Sequence, residues 1–180
     1  MDKANLLDGI DAPECFIPIV KGGAIKYLKP DNWYIDWSED AVKTYKRDKK
    51  ARFQNSKYYF KRGIGIPMVS SSQVTASLME EKLFDQSIVG VFPIDEKWLY
   101  YLLAFFNSPT CTKLLRIINL TANNSANYIK KIPFIVPDDN VLAIINQHTR
   151  EFICDLKQNV KYKQENEQII NGLIFDIYGC

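Results

Sequence analysis

The span Lys43–Arg62, KTYKRDKKARFQNSKYYFKR, holds nine lysines and arginines against one acid, Asp48, with Tyr45, Phe53, Tyr58, Tyr59 and Phe60 interleaved. Cations on such a stretch can meet phosphates, each neutralised phosphate adding a salt-dependent term with a slope of about −0.9 in duplex DNA. The same letters also fit an ordinary strand and loop, with the rings packed inward and the Lys and Arg heads left in water. On the residues alone the two readings stand level. Two further polar concentrations, SSSQVT (Ser70–Thr75) and NLTANNSAN (Asn119–Asn127), carry short amides and hydroxyls. Such groups hydrogen-bond base edges and phosphates, but they are equally the composition of loops, which is the reading composition favours.

Bond-making chemistry is harder to find. Gly22-Gly23 and Gly63-Ile64-Gly65 lack the strand-loop-helix surroundings of a dinucleotide or phosphate loop, and are read as turn glycines. The Asn- or Asp-Pro-Pro-aromatic loop of adenine and cytosine methyltransferases does not occur. The single histidine, His148, falls on the apolar stripe of a helix, where it is a packed or boundary residue rather than a base for a nucleophile. Asp95-Glu96-Lys97 has the letters of a metal-dependent nuclease, yet Asp95 sits where a helix cap belongs, and the cap is the favoured reading. Cys15, Cys111, Cys154 and Cys180 are scattered, without a Cys-x-x-Cys pair, so no zinc site is expected. No secretion leader precedes them, and free thiols in a reducing cytoplasm are expected. The net charge of +2 is too small to announce a nucleic-acid partner, so distribution must carry that case. No apolar run approaches the roughly 20 residues that cross a bilayer, and no membrane partner is expected.

The elements that must position these residues follow from pattern and punctuation. CFIPIV (Cys15–Val20) reads as an edge strand because of Pro18, and WYIDW (Trp33–Trp37) as a second strand. Ser38 can cap an exposed helix with Glu39 and Asp40 in its first turn. Strand chemistry continues through Lys57–Val69, Gln73–Met79 and Ser87–Pro93, making a sheet. Asp95 then caps an apolar helix through WLYYLLAFFN, and Pro109 opens another through CTKLLRII, both expected to be buried against the sheet. The segment from Thr121 to Pro137 is too polar for a core helix, and its IPFIVP end reads as extended. Beyond Pro137 the apolar residues recur at helical spacing, with a polar junction at KQNVKYKQENEQ. The expected fold class is α+β: a small mixed or antiparallel sheet with packed helices over 1–137 as a recognition domain, and a helical spacer or docking segment over 138–180.

The ordered series KGG (Lys21–Gly23), WYIDW, FQNSKYYFKRGI, VSSSQVTA, FDQSIVGVFP, YYLLAFFNSP, IKKIPFIVP and the closing FDIYG (Phe175–Gly179) covers nearly the whole chain. It resembles the TaqI-like C-terminal specificity domain of adenine-specific DNA methyltransferases. That family includes Type IIG enzymes that fuse methylase and nuclease, and the methylase of the bacteriophage-exclusion system. The resemblance implies a non-catalytic target-recognition domain of a restriction-modification enzyme, whose sheet and loops enter the major groove of double-stranded DNA. It places Lys57, Tyr59, Lys61 and Arg62, within Lys57–Ile64, at the DNA side, together with Ser70, Ser71, Ser72, Gln73 and Thr75. Lys21, Lys26, Asn123, Asn124 and Lys130 are further contact candidates. It implies no cofactor in this chain, S-adenosylmethionine in the parent methyltransferase, and a methyltransferase or endonuclease part in the same polypeptide or a separate one. The segment with Thr-Gly and Asn-Phe signatures that family members carry before Lys-Gly-Gly has no counterpart ahead of Cys15, so a C-terminal fragment or split-gene product is expected. The rival from another class is a protein-interaction module that docks a partner through the C-terminal helices; a self-sufficient nuclease acting through Asp95, Glu96 and Lys97 is a third.

Overall fold

A computed structural model describes residues 5–51, 53–70, 72–158 and 164–179. The architecture is α+β, with two three-stranded sheets instead of the one that strand chemistry suggested. In the first, β1 (Phe16–Val20) lies between antiparallel β2 (Tyr34–Asp36) and parallel β5 (Leu83–Phe84). In the second, β3 (Gly63–Pro67) lies between antiparallel β4 (Ser77–Met79) and β6 (Ile88–Val91). Between β4 and β5 the chain turns at Glu81, which adopts φ 55°, and this turn moves it from one sheet to the other.

Pro18 does not make β1 an edge strand, as had been expected. The strand is central, and proline is tolerated because β5 pairs only with Ile19 and Val20, so no neighbour asks Pro18 for the N–H it lacks. The long strand expected over Lys57–Val69 is shortened to β3. Phe60 takes φ 59°, a left-handed conformation that no strand continues through, and a 3-10 turn over Ser56–Tyr58 replaces the strand's first part. The strand expected over Gln73–Met79 narrows to β4 for a different reason. The N–H of Val74 donates to Thr112 Oγ1 (3.1 Å) and that of Ala76 to Asn107 Oδ1 (2.9 Å), so helix side chains satisfy this backbone where a strand would have.

Helix α1 (Glu39–Arg47) starts where Ser38 accepts from Ala41 N–H, and it turns Val42 and Tyr45 inward. The Ser38 backbone N–H also donates to Asp36, holding that carboxylate below its ordinary range. Asp95 caps the 3-10 turn Glu96–Trp98 that leads into α2 (Leu99–Asn107), accepting from Lys97 N–H at 3.0 Å. Ser108 caps α3 (Pro109–Ile118), with Pro109 in its first turn. Helix α2 is almost wholly buried, as its composition required.

The segment after Leu120 contains a short helix, α4 (Ala126–Ile129), that its polarity did not suggest. IPFIVP follows it outside any helix or strand; Tyr101 Oη donates to the carbonyl of Ile135 (2.8 Å) and Tyr178 Oη to that of Pro133 (3.1 Å). Asp138 caps α5 (Asp139–Lys157), and α6 is Gln164–Tyr178. Within the polar run KQNVKYKQENEQ, Lys157 closes α5 and Gln164–Gln168 are helical, while residues 159–163 lie outside the described residues.

Helices α2, α3, α5 and α6 share one core with β3 and β4; it includes Leu103, Phe105, Leu142, Ile145, Phe152, Ile170 and Ile174. A second, aromatic core surrounds Trp37, which contacts Phe53 (5.8 Å between ring centroids), Tyr59 (6.0 Å) and Phe60 (5.7 Å). His148 lies half-buried at the α5–α6 boundary, its Nδ1 3.2 Å from Asn166 Oδ1, a packing role as expected. Cys15, Cys111 and Cys154 are free, and Cys180 lies outside the described residues. Among the described residues no helix is long and apolar enough to cross a membrane.

Candidate nucleic-acid interface

Of the cations in Lys43–Arg62, several are neutralised within the fold. Lys43 pairs with Glu39 and Asp40, Lys46 with Asp8 (2.6 Å), and Arg62 with Glu80 (2.9 Å) and Glu96 (3.5 Å). Arg62 also lies over the Tyr100 ring, with Arg150 at 4.8 Å from the same ring. The guanidinium, which stays exposed, is thus tied to residues at the end of β4 and the start of α2. Arg47, Lys49, Lys50, Lys57 and Lys61 have no ion pair among the described residues, while Arg52 lies outside them.

Lys57 and Lys61 stand out because of what lies beneath them. Their ammonium groups are 5.0 and 5.8 Å from the Tyr58 ring centroid, and Tyr58 is stacked on Phe92 at 4.7 Å with 16° between planes. Phe92 in turn lies over two glycines of neighbouring strands. A Cβ on Gly63 would fall 2.5 Å from this ring and a Cβ on Gly90 2.6 Å, so only glycine leaves the space at these positions. The sequence GIG and the residue Gly90 thus set the height of a stack that runs from sheet to Phe92, then Tyr58, then lysines. Gly90→Val is expected to expel Phe92 and destabilise the chain by about 1–3 kcal/mol through overpacking; a denaturant melt no different from the parent's would contradict this packing account.

Left-handed Asn55 (φ 59°) and Phe60 (φ 59°) bracket the 3-10 turn and decide which ring faces out. Tyr58 turns toward the stack, whereas Tyr59 turns in among Trp37, Phe53 (5.5 Å) and Phe84 (5.7 Å), where burial pushes its hydroxyl pKa up. Tyr59 is thereby placed half-buried against the second core, and Tyr58, its neighbour within Lys57–Ile64, is the ring under the lysines.

The remaining candidates divide. Loop residues 68–70 and 122–124 run antiparallel: Ser70 N–H donates to Ala122 O (2.9 Å), Asn124 N–H to Met68 O (2.7 Å), and Val69 bridges Asn123. Arg116 braces the pair, donating to Ser70 O (2.7 Å), Thr121 O (2.9 Å) and Asn124 Oδ1 (3.1 Å). The two polar concentrations are therefore one tip, on which Ser72, Gln73 and Asn123 are exposed. Ser70, Thr75 and Asn124 are corrected: all three are buried, Thr75 and Asn124 with no exposed surface, and the side chains of Ser70 and Asn124 hold the loops by bonding Gln73 O and Pro67 O. Ser71 lies outside the described residues. Lys26 is also corrected, since its ammonium pairs with Glu167 of α6 at 2.8 Å. Lys21 lies over the Trp33 ring at 4.7 Å, and Lys130 is exposed at the end of α4.

Lys57–Arg62 and Ser70–Gln73 flank opposite ends of β3, whose length of roughly 17 Å follows from five residues at about 3.3 Å each. They do not make one continuous face, because the intervening strand is entirely buried. Beside the first of them, at Tyr58 and Tyr59, a cleft of about 750 Å³ opens toward Ser125–Asn127. Lys50, Gln54, Asn55 and Tyr58 line one side, Ser125 and Asn127 another, with Phe84, Ile88, Gly90 and Phe92 also in its lining. The amides of Gln54, Asn55 and Asn127 are exposed and make no hydrogen bond among the described residues. Composition could not show that these amides converge, because the segments meet only through the tertiary fold.

No family model matches this chain. It is similar to adenine-specific methyltransferase PglX of Lacticaseibacillus casei (strain Zhang), with 26% identity over 132 residues. The match covers 69% of this chain and 11% of that protein, so the chain spans only a small part of the relative's length.

Proposed function

We propose that this chain is the sequence-specific DNA-recognition domain of a restriction-modification adenine-specific DNA methyltransferase, with or without endonuclease activity, acting in the cytoplasm. In this reading the chain itself makes no covalent bond. S-adenosylmethionine is held by a methyltransferase part elsewhere in the same polypeptide or in a companion chain, and the nuclease, where there is one, lies there too. The similarity to an adenine-specific methyltransferase supports the setting. The observation that carries the DNA reading is the pair Lys57 and Lys61, unneutralised among the described residues and poised on stacked rings beside a cleft lined by amides. The cations supply affinity without sequence preference, and Ser72, Gln73, Asn123 and the cleft amides supply groups able to address base edges.

The test is fluorescence anisotropy on a duplex of about 20 base pairs over a series of salt concentrations. Binding is expected to weaken steeply with salt, and Lys57→Ala with Lys61→Ala is expected to flatten the log–log slope by about 2, from about 0.9 per lost phosphate contact. A variant whose slope matched the parent's would remove these lysines from the interface. Undetectable binding even at low salt, combined with capture of a partner protein through α5 and α6, would replace this reading by the interaction-module one.

A further inference from the structure

The cleft offers something that duplex readout does not use. A base inside a duplex presents its edges in the grooves, while its faces are covered by neighbouring bases. Tyr58, Tyr59, Phe84 and Phe92 are half-buried rings that line this cleft, and an aromatic ring binds a base by its face. We infer that the cleft between Gln54–Tyr58 and Ser125–Asn127 binds unpaired nucleobases of a single DNA strand, with Tyr58 as the stacking platform and Lys50, Lys57 and Lys61 on the flanking phosphates.

Three features converge on that ligand. A cleft of about 750 Å³ falls in the range of sites that hold small organic groups, and it is far too narrow for a double helix. The uncommitted amides of Gln54, Asn55 and Asn127 line the same space as the rings, so a stacked base has donors and acceptors for its edge. Lys50 is part of the lining, and Lys57 and Lys61 lie over the ring of Tyr58, which the cleft also includes. One face of Tyr58 rests on Phe92, and the lysine ammonium groups lie over the ring as well.

Arrival of a base requires the lysines to swing off the ring, and magnitudes allow it. An exposed cation over a ring contributes about two- to fivefold to an equilibrium, whereas a stacked base contributes about 5- to 150-fold. The displaced ammonium groups then reach phosphates, which offer them a full opposite charge. This inference extends the DNA-recognition reading by adding a class of substrate: strand that has already been opened, as it must be when a base is extruded for chemistry.

The experiment compares an oligothymidylate of about eight nucleotides with a duplex of similar phosphate number, both labelled, against the full chain at low salt. Tyr58→Ala is expected to weaken oligothymidylate binding about 5- to 150-fold and duplex binding, which loses only the seat of Lys57 and Lys61, by a clearly smaller factor, and Tyr58→Phe, which keeps the ring, is expected to restore both. An abasic oligonucleotide of the same length supplies the phosphates without bases, and Tyr58→Ala is expected to weaken its binding no more than it weakens the duplex's. Equal losses for duplex, abasic and oligothymidylate probes would overturn the inference, as would no loss at all. If the duplex binds and the single strand does not, this inference falls and DNA recognition stands. If the single strand binds with the expected Tyr58 dependence and the duplex does not, duplex recognition falls instead; if neither binds, both fall.

Discussion

A chain ended after Pro137 will fail to fold. Helices α5 and α6 place Leu142, Ile145, Phe152, Ile153, Ile170 and Ile174 in the same core as Leu103, Phe105 and Ile66, all of them buried. Burying a large aliphatic or aromatic side chain is worth about 1.5–3 kcal/mol. Their loss together removes about as much as the 5–15 kcal/mol that typically separates a folded domain from its unfolded chain. The truncation also strips the cover from α2, which has almost no polar face to offer water. The expected outcome is an aggregating product without a cooperative thermal transition and without near-ultraviolet circular dichroism. A truncated product that melted like the parent would show that residues 138–180 are an appendage, as their composition had suggested.

The second large effect comes from a polar residue. Asn107 is buried at the end of α2, and its side chain closes a two-point clamp on the backbone of Ala76: Oδ1 accepts from the Ala76 N–H and Nδ2 donates to the Ala76 carbonyl, each at 2.9 Å. Nδ2 also donates to Leu103 O at 2.9 Å. Asn107→Ala strands the Ala76 N–H where water does not reach, while the Ala76 carbonyl keeps the Tyr27 N–H at 2.7 Å; one such stranded group costs about 1–3 kcal/mol. A loss of about 1–3 kcal/mol in urea unfolding is expected, with a melting temperature lower by about 2–12 °C for a domain of this size. Asn107→Asp tests the mechanism, since it replaces the donating amide by a second acceptor and should destabilise as well. If Asn107→Ala unfolded at the parent's denaturant concentration, the clamp would have no energetic role.

Much of the fold was legible because local signals and tertiary needs agreed. Ser38 and Asp95 are side-chain caps at the start of a helix or 3-10 turn, and Pro109 stands in a first turn, as their types announce. Period-two segments gave β1, β2, β3 and β6. Where the reading went astray, the cause was non-local. Ala76 has strand chemistry but is held by a helix side chain, and Pro18 is central because a partner strand is short. Phe60 and Glu81 adopt left-handed backbone with nothing in their residue types to announce it.

The candidate site was legible to a smaller degree. Charge and ring content marked Lys57 and Lys61, but charge alone could not separate them from Arg62, whose acids arrive from β4's end and from the turn before α2. Amide content marked Asn123 and Asn124 alike. Only the brace from Arg116 tells them apart, one facing solvent and its neighbour locked under the loop. Tyr58 and Tyr59 differ by one position, and the left-handed turns beside them decide which ring belongs to the core.

The brace at the loop tip has a consequence for how such a molecule can change. Arg116 grips the main-chain oxygens of Ser70 and Thr121, and the two loops hold each other by backbone groups. That framework asks little of the side chains at Ser72, Gln73 and Asn123, apart from a turn contact from Asn123 to the Ser125 N–H. Letters at those places can be rewritten while the loops keep their shape, so new preferences can arise by drift at a few surface positions without the molecule having to relearn how to fold.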